Sequence, residues 1–151
     1  MTSPGQRIGI AVVLSHDATG CLVGIRPCEA PLGGMLEFPG GKCLQHESPR
    51  EAALRECLEE TGIAVEPLRQ LEQRTVDYDH GRVELHFWLC QPRQAEPPPP
   101  ASPFAWSPLD ELEAARFPQA NALVIERLVD ATGIREQLLR AADQTESTHD
   151  A

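Results

Sequence analysis

Residues 41–63 read GKCLQHESPREAALRECLEETGI, and they constrain the fold more than any other stretch of the chain. They dictate a glycine loop, one helix and a stop. Ser48 is placed to cap the helix, and Pro49 takes the first helical position, where its missing N–H is not needed. Glu51 completes a capping box. Gly62 ends the helix by accepting the left-handed conformation. About three to four turns lie between. Leu54, Cys57 and Leu58 share one face and are expected to pack into the core. Glu56, Glu59 and Glu60 are spaced i, i+3, i+4 and share the other.

That acidic face is unfavourable in isolation. Three like charges within one turn repel, and Glu59 and Glu60 sit in the last turn, where the helix dipole disfavours anions. A solvated face is the ordinary reading of such a run. The fixed offsets of Gly41, Glu47, Arg55 and Gly62 around it favour another reading, in which a divalent cation reverses the sign of the interaction. Carboxylate oxygens are the hard ligands that Mg2+ or Mn2+ prefers.

The remaining chain reads as strands with one late helical region. Residues 7–15 and 21–26 are strands about a turn at 17–20. Residues 27–34 form a loop, and 35–38 are briefly extended. Residues 68–79 and 83–91 flank His80-Gly81, a hairpin signal. Residues 92–103 contain four consecutive prolines and read as a polyproline-like surface loop. A short strand at 104–107 and one or two helical turns at 109–116 follow. Helices are expected at 121–130 and 134–142, and 143–151 is a polar tail expected to be disordered. The expected fold is α/β, a mixed sheet between helices, in a single domain over 1–142.

At 151 residues with net charge −10, the chain suits a small soluble enzyme. The charge argues against a nucleic-acid polymer or an anionic membrane as partner, and a small-molecule nucleotide remains open where cations neutralise its phosphates. No apolar run approaches a membrane span of about 20 residues. Five cysteines without C-x-x-C spacing suggest reduced thiols in a cytoplasm. Cys57 and Cys90 fit as small hydrophobes. The oligomeric state stays open, and a monomer is compatible with the sequence.

Gly41, Glu47, Arg55, Glu56, Glu59, Glu60, Gly62 and Ile63 fall on the pattern that marks the Nudix hydrolases, and the segment resembles that family's signature. Cys57 departs from it, standing where an aliphatic residue is usual. The resemblance continues in LEFPGGK (36–42), FWL (87–89), Trp106 and FPQAN (117–121), and there it is similar to the MutT branch. It implies an α/β/α Nudix fold and Mg2+-dependent hydrolysis, with Mn2+ able to substitute. The substrate would be a nucleoside triphosphate, preferentially 8-oxo-dGTP, attacked at the β-phosphorus to leave monophosphate and pyrophosphate. Gly40, Glu56, Glu59 and Glu60 would hold metal, and Glu56, Glu59 and Arg55 are the candidate catalytic residues. Glu47 would pair with Arg55, making Gly41, Glu47 and Gly62 structural parts of the site. Arg26, Phe38 and Asn121 would contact substrate.

Three of these have rivals. Arg26 could be a solvated strand end. Phe38 could be core, and Asn121 could be the N-cap of the helix that follows. The branch often draws one more acidic ligand from the loop before Trp106, and here only Glu96 is acidic there, so either Glu96 or Glu47 takes the place or the site relies more on water and substrate oxygens. The residues also leave open a cytidine triphosphate or broad-specificity Nudix enzyme, and a non-enzymatic nucleotide-binding domain.

Overall fold

Strand β1 (Gln6–Val13) is the centre of the computed structural model, which describes residues 5–79 and 81–129. Its neighbours in a four-stranded sheet are β4 (Gly40–Lys42) and β6 (Gly81–Pro92), and β6 pairs in turn with β5 (Val65–Tyr78). The β1–β6 pairing is parallel and the other two are antiparallel. A second, antiparallel sheet has β2 (Gly20–Ile25) between β3 (Leu36–Glu37) and β7 (Ala105–Pro108). The helices are α1 (Pro49–Thr61) and α2 (Ala122–Val129). The expected mixed sheet between helices is present. His80, the helix expected at 134–142 and the tail at 143–151 lie outside the described residues. Among the described residues no helix is long and apolar enough to cross a membrane.

Strand alternation divides the core in two. Val83, Leu85, Phe87 and Leu89 point to one face of the sheet, where they meet Val12, Phe38, Phe117 and the apolar stripe Val124, Ile125 and Leu128 of α2. Ala11, Val13 and Cys90 point to the other and meet Ala53 and Cys57 of α1. Burying a side chain the size of Phe87, which is fully enclosed, stabilises by roughly 1.5–3 kcal/mol. Trp88 packs at the margin of the second cluster, and its buried Nε1–H finds no acceptor among the described residues.

Helix α1 begins and ends at the expected residues. Ser48 and Glu51 form the reciprocal capping box, and Gly62 adopts φ 78° and donates its N–H to the Leu58 carbonyl. The face it buries differs from the expected one. Cys57 is fully enclosed, Leu54 is only partly buried, and Leu58 is 51 % exposed. The buried stripe is Pro49, Ala52, Ala53, Cys57 and Thr61. Gly9 supplies the reason. A Cβ there would lie 2.0 Å from the Pro49 carbonyl oxygen and 2.6 Å from the Ala53 nitrogen. Helix backbone therefore rests on strand backbone, and only small side chains fit beneath it. Cysteine at position 57 meets that requirement.

Two further differences concern short elements. Residues 40–42, read as loop, pair antiparallel with β1 through Gly40↔Ile10 and Gly41↔Gly9. Glycine has low strand propensity, so composition hides this strand. The turns at 109–116 are two 3-10 turns, Leu109–Glu111 and Ala114–Arg116.

Candidate active site

The pairing of β4 with β1 brings Gly40 and Gly41 alongside α1. Gly40 N–H donates to Glu60 Oε2 at 3.2 Å. A Cβ on Gly41 would sit 2.4 Å from the Glu56 carboxyl carbon, so glycine is required for that carboxylate to lie against the loop. The loop is fastened from the other side by Arg55. Its Nε and Nη2 donate to the two oxygens of Glu47 at 2.8 and 2.9 Å, and Nη2 also reaches the Lys42 carbonyl at 3.1 Å. Nη1 donates to Glu56 Oε1 and to Glu59 Oε2, both at 3.1 Å. Arg55 thus gathers three carboxylates. Hydrogen bonding to Glu47 raises the guanidinium further above its already basic range, and the same pairing lowers the Glu47 carboxyl.

Glu60 behaves differently. Burial raises its carboxyl to about 7, and the neighbouring charges of Glu56 and Glu37 and a side-chain contact with Glu56 add to that, against the Gly40 hydrogen bond. Glu56 and Glu60 therefore meet as two carboxylates in a partly desolvated place, where a proton or a cation relieves their repulsion. This donor set, with the Gly40 backbone beside it, fits a hard divalent ion. Among the described residues no three acidic, histidine or cysteine side chains already converge as a cage. Arg55 draws Glu59 away, and Glu59 is the most exposed of the three at 57 %.

The buried carboxyl makes the metal-free protein pH-sensitive. Between about 4.5, the ordinary value, and about 7, the folded state holds a proton on Glu60 that the unfolded chain has lost. This stabilising contribution is complete below the lower value and disappears as pH rises through the upper one. In chelator, the melting temperature of wild type is expected to fall relative to Glu60→Gln between about pH 5 and about pH 8. Parallel melting curves for the two proteins would rule the shift out.

The residues proposed outside the 41–63 signature are arranged less simply. Arg26 is half-buried and not merely solvated. Its Nη1 donates to Glu37 Oε2 at 3.0 Å and its Nε to the Pro31 carbonyl at 2.9 Å. Phe38 is 6 % exposed and stacks on Phe117 with ring centroids 5.1 Å apart, so its ring belongs to the core wall. Asn121 closes the 3-10 turn Gln119–Asn121 that runs directly into α2. It is 9 % exposed, and its side chain makes no hydrogen bond among the described residues, so it does not cap the helix. Among the described residues no hydrogen bond or ion pair joins Asn121 to residues 40–63.

Neither proposed substitute for the further acidic ligand is well placed. Glu47 has both oxygens engaged by Arg55 and by the Leu44 N–H. Glu96 is exposed, and its neighbours Ala95 and Pro97 line a recess with Ser15 and His16, beyond the end of β1. Glu37 is the acid that sequence reasoning passed over. It sits in the same LEFPGGK run that aligned Gly40 and Gly41, and its charge reaches Glu60.

The profile of the NUDIX domain family matches residues 9–127. The 8-oxo-dGTP diphosphatase of Escherichia coli (strain K12) is 32 % identical over 125 residues, covering 82 % of this chain and 97 % of that protein. The CTP pyrophosphohydrolase of the same organism is 30 % identical over 79 residues, covering 52 % and 58 %. In fold, the chain is similar to the crystal structure of the MutT protein from Methanosarcina mazei Go1, with TM-score 0.68, 21 % identity, and coverage of 88 % of this chain and 99 % of that one.

Proposed function

The chain belongs to the NUDIX domain family, and from that membership we propose that it hydrolyses a nucleoside triphosphate to the monophosphate and pyrophosphate, with 8-oxo-dGTP as preferred substrate. The observation that carries the reading is the Glu56–Glu60 carboxylate pair, set between the Gly40–Gly41 backbone and the Arg55 guanidinium.

Hydrolysis of a triphosphate needs a base for water and a counter-charge for the phosphates. Mg2+, with Mn2+ able to substitute, would supply the counter-charge and polarise the phosphate. Glu56, Glu59, Glu60 and the Gly40 carbonyl would hold it. Glu56 is the residue to orient the attacking water and take its proton, because Arg55 fixes one of its oxygens and Gly41 leaves room for the carboxylate. Glu59 reaches the same guanidinium and would be a further carboxylate to hold the metal. Arg55 holds these groups in place through its bidentate contact with Glu47. Arg26 contacts the phosphates, and Phe38 bounds the base pocket from the core side.

Asn121 reads the base. Its carboxamide has a donor and an acceptor uncommitted among the described residues, which suits the edge of a purine. Pyrophosphate release over normal and oxidised nucleotides tests the substrate, and Asn121→Asp tests the reader. That change removes the amide donor at nearly constant shape. It is expected to reduce the kcat/KM ratio of 8-oxo-dGTP over dGTP by at least about tenfold, since an unmatched polar edge discriminates steeply. An unchanged ratio in Asn121→Asp would defeat the recognition role. A wild-type preference for CTP would replace the proposed substrate while leaving the chemistry of the carboxylates on α1 as described.

A further inference from the structure

Arg26 is more tightly held than a surface arginine needs to be. It follows the last residue of β2, and its main chain is fixed at both ends, since its N–H donates to the Met35 carbonyl at 2.9 Å and its carbonyl accepts from Gly34 at 3.0 Å. The loop between closes on the side chain, whose Nε donates to the Pro31 carbonyl. The last constraint comes from across the β2–β3 ladder, where Gly24 pairs with Glu37 and Ile25 with Leu36. From there Glu37 takes Nη1 at 3.0 Å, with the two side chains 30 % and 27 % exposed. Nη2 has no partner among the described residues.

Two of the three guanidinium nitrogens therefore define its plane, and the third edge stays open. An unrestrained arginine loses rotamer freedom on being ordered. Here most of that freedom is gone before a ligand arrives. We propose that Glu37 is a positioning residue for the substrate, fixing the Arg26 guanidinium so that its open Nη2 edge receives an oxygen of the triphosphate. The inference rests on the reading of Arg26 as a phosphate contact.

Glu37 is itself an anion beside an anionic substrate, so two effects of opposite sign meet in it. It aligns Arg26, which favours binding, and it repels phosphate, which opposes binding. Removing Glu37 with Arg26 present removes both effects. Removing it with Arg26 absent removes only the repulsion. A residue that merely braced the loop would raise KM in both backgrounds or change kcat with it.

The test is steady-state hydrolysis of 8-oxo-dGTP and dGTP by wild type, Glu37→Ala, Glu37→Gln, Arg26→Ala and the double alanine variant. Measurement at saturating Mg2+ and about pH 8.5 keeps Glu60 ionised throughout. Arg26→Ala is expected to raise KM roughly tenfold, the size of one charge-assisted hydrogen bond. Glu37→Ala is expected to raise KM to a similar extent with kcat within about twofold. Glu37→Gln, which keeps an acceptor oxygen, should fall between wild type and Glu37→Ala. It also provides the test should the alanine variant fail to fold, as judged by its melting curve. In the Arg26→Ala background, Glu37→Ala should leave KM unchanged or lower it. A KM that stays level or falls in Glu37→Ala or Glu37→Gln alone overturns the proposal, and so does an equal further rise in the double variant. An unchanged KM in Arg26→Ala overturns the phosphate reading of Arg26 as well, and is recognisable because it does not involve Glu37.

Discussion

Excess EDTA is expected to abolish pyrophosphate release, by on the order of a thousandfold or more, and added Mg2+ to restore it. The reason lies in the electrostatics of α1. Glu56 and Glu60 are in side-chain contact, and Glu60 is raised to about 7 because ionising both in a partly buried place is unfavourable. Without a cation, the face that must accept a polyanionic triphosphate is itself anionic or protonated. Protonation relieves the repulsion between the carboxylates but supplies no counter-charge to the phosphates. The same site gives a second readout. A cation that binds only the folded state raises the melting temperature, and it competes with the Glu60 proton, so the rise should be larger at about pH 8 than at about pH 6. Glu60→Gln should reduce the rise at both. Full turnover in excess EDTA, with no response of the melting curve to Mg2+, would remove the metal reading and leave the acidic stripe as a solvated face.

Local chemistry made part of this site legible and tertiary geometry hid the rest. The helix was readable because its signals are local. Ser48, Pro49, Glu51 and Gly62 act within one turn of where they stand, and the observed cap and stop use those residues. The Glu47–Arg55 pair followed from the family resemblance, and the structure shows it as a bidentate contact. The buried face of α1 was not readable from periodicity. Leu54 and Leu58 look like core residues on the helix alone, but the close approach at Gly9, some 40 positions earlier, leaves space only for Ala52, Ala53 and Cys57. Strand β4 was hidden for a related reason. Gly40 and Gly41 carry no strand propensity, and they pair with β1 because lack of side chains allows close passage. Glu37 was visible as a letter in LEFPGGK but silent as chemistry, because only the β2–β3 ladder sets it against Arg26. Asn121 stood between two readings in sequence. The continuous passage from 3-10 turn to α2, with no side-chain hydrogen bond from Asn121 among the described residues, speaks against the cap and leaves base recognition as a proposal.

Glu56→Gln is expected to lower kcat by about two to four orders of magnitude, the range for loss of a positioned general base, with little change in the fold. The substitution is nearly isosteric. Glu56 lies against Gly41 with its side chain 21 % exposed, so an amide fits the same space and still accepts from Arg55 Nη1. What it loses is the capacity to take a proton, together with one charged ligand for the metal. Arg55→Ala separates chemistry from architecture. It removes the fastening of Glu47, which is only 12 % exposed, together with the contacts to Glu56, Glu59 and the Lys42 carbonyl. It should therefore reduce stability by about 1.5–3 kcal/mol, the range for a lost hydrogen bond to a charged group, as well as lowering kcat. The two variants thus differ in their ratio of rate loss to stability loss. A Glu56→Gln protein that retains wild-type kcat would assign the base elsewhere on the same helix. Glu59 is then the next candidate, since it shares Arg55 Nη1 with Glu56 at the same 3.1 Å.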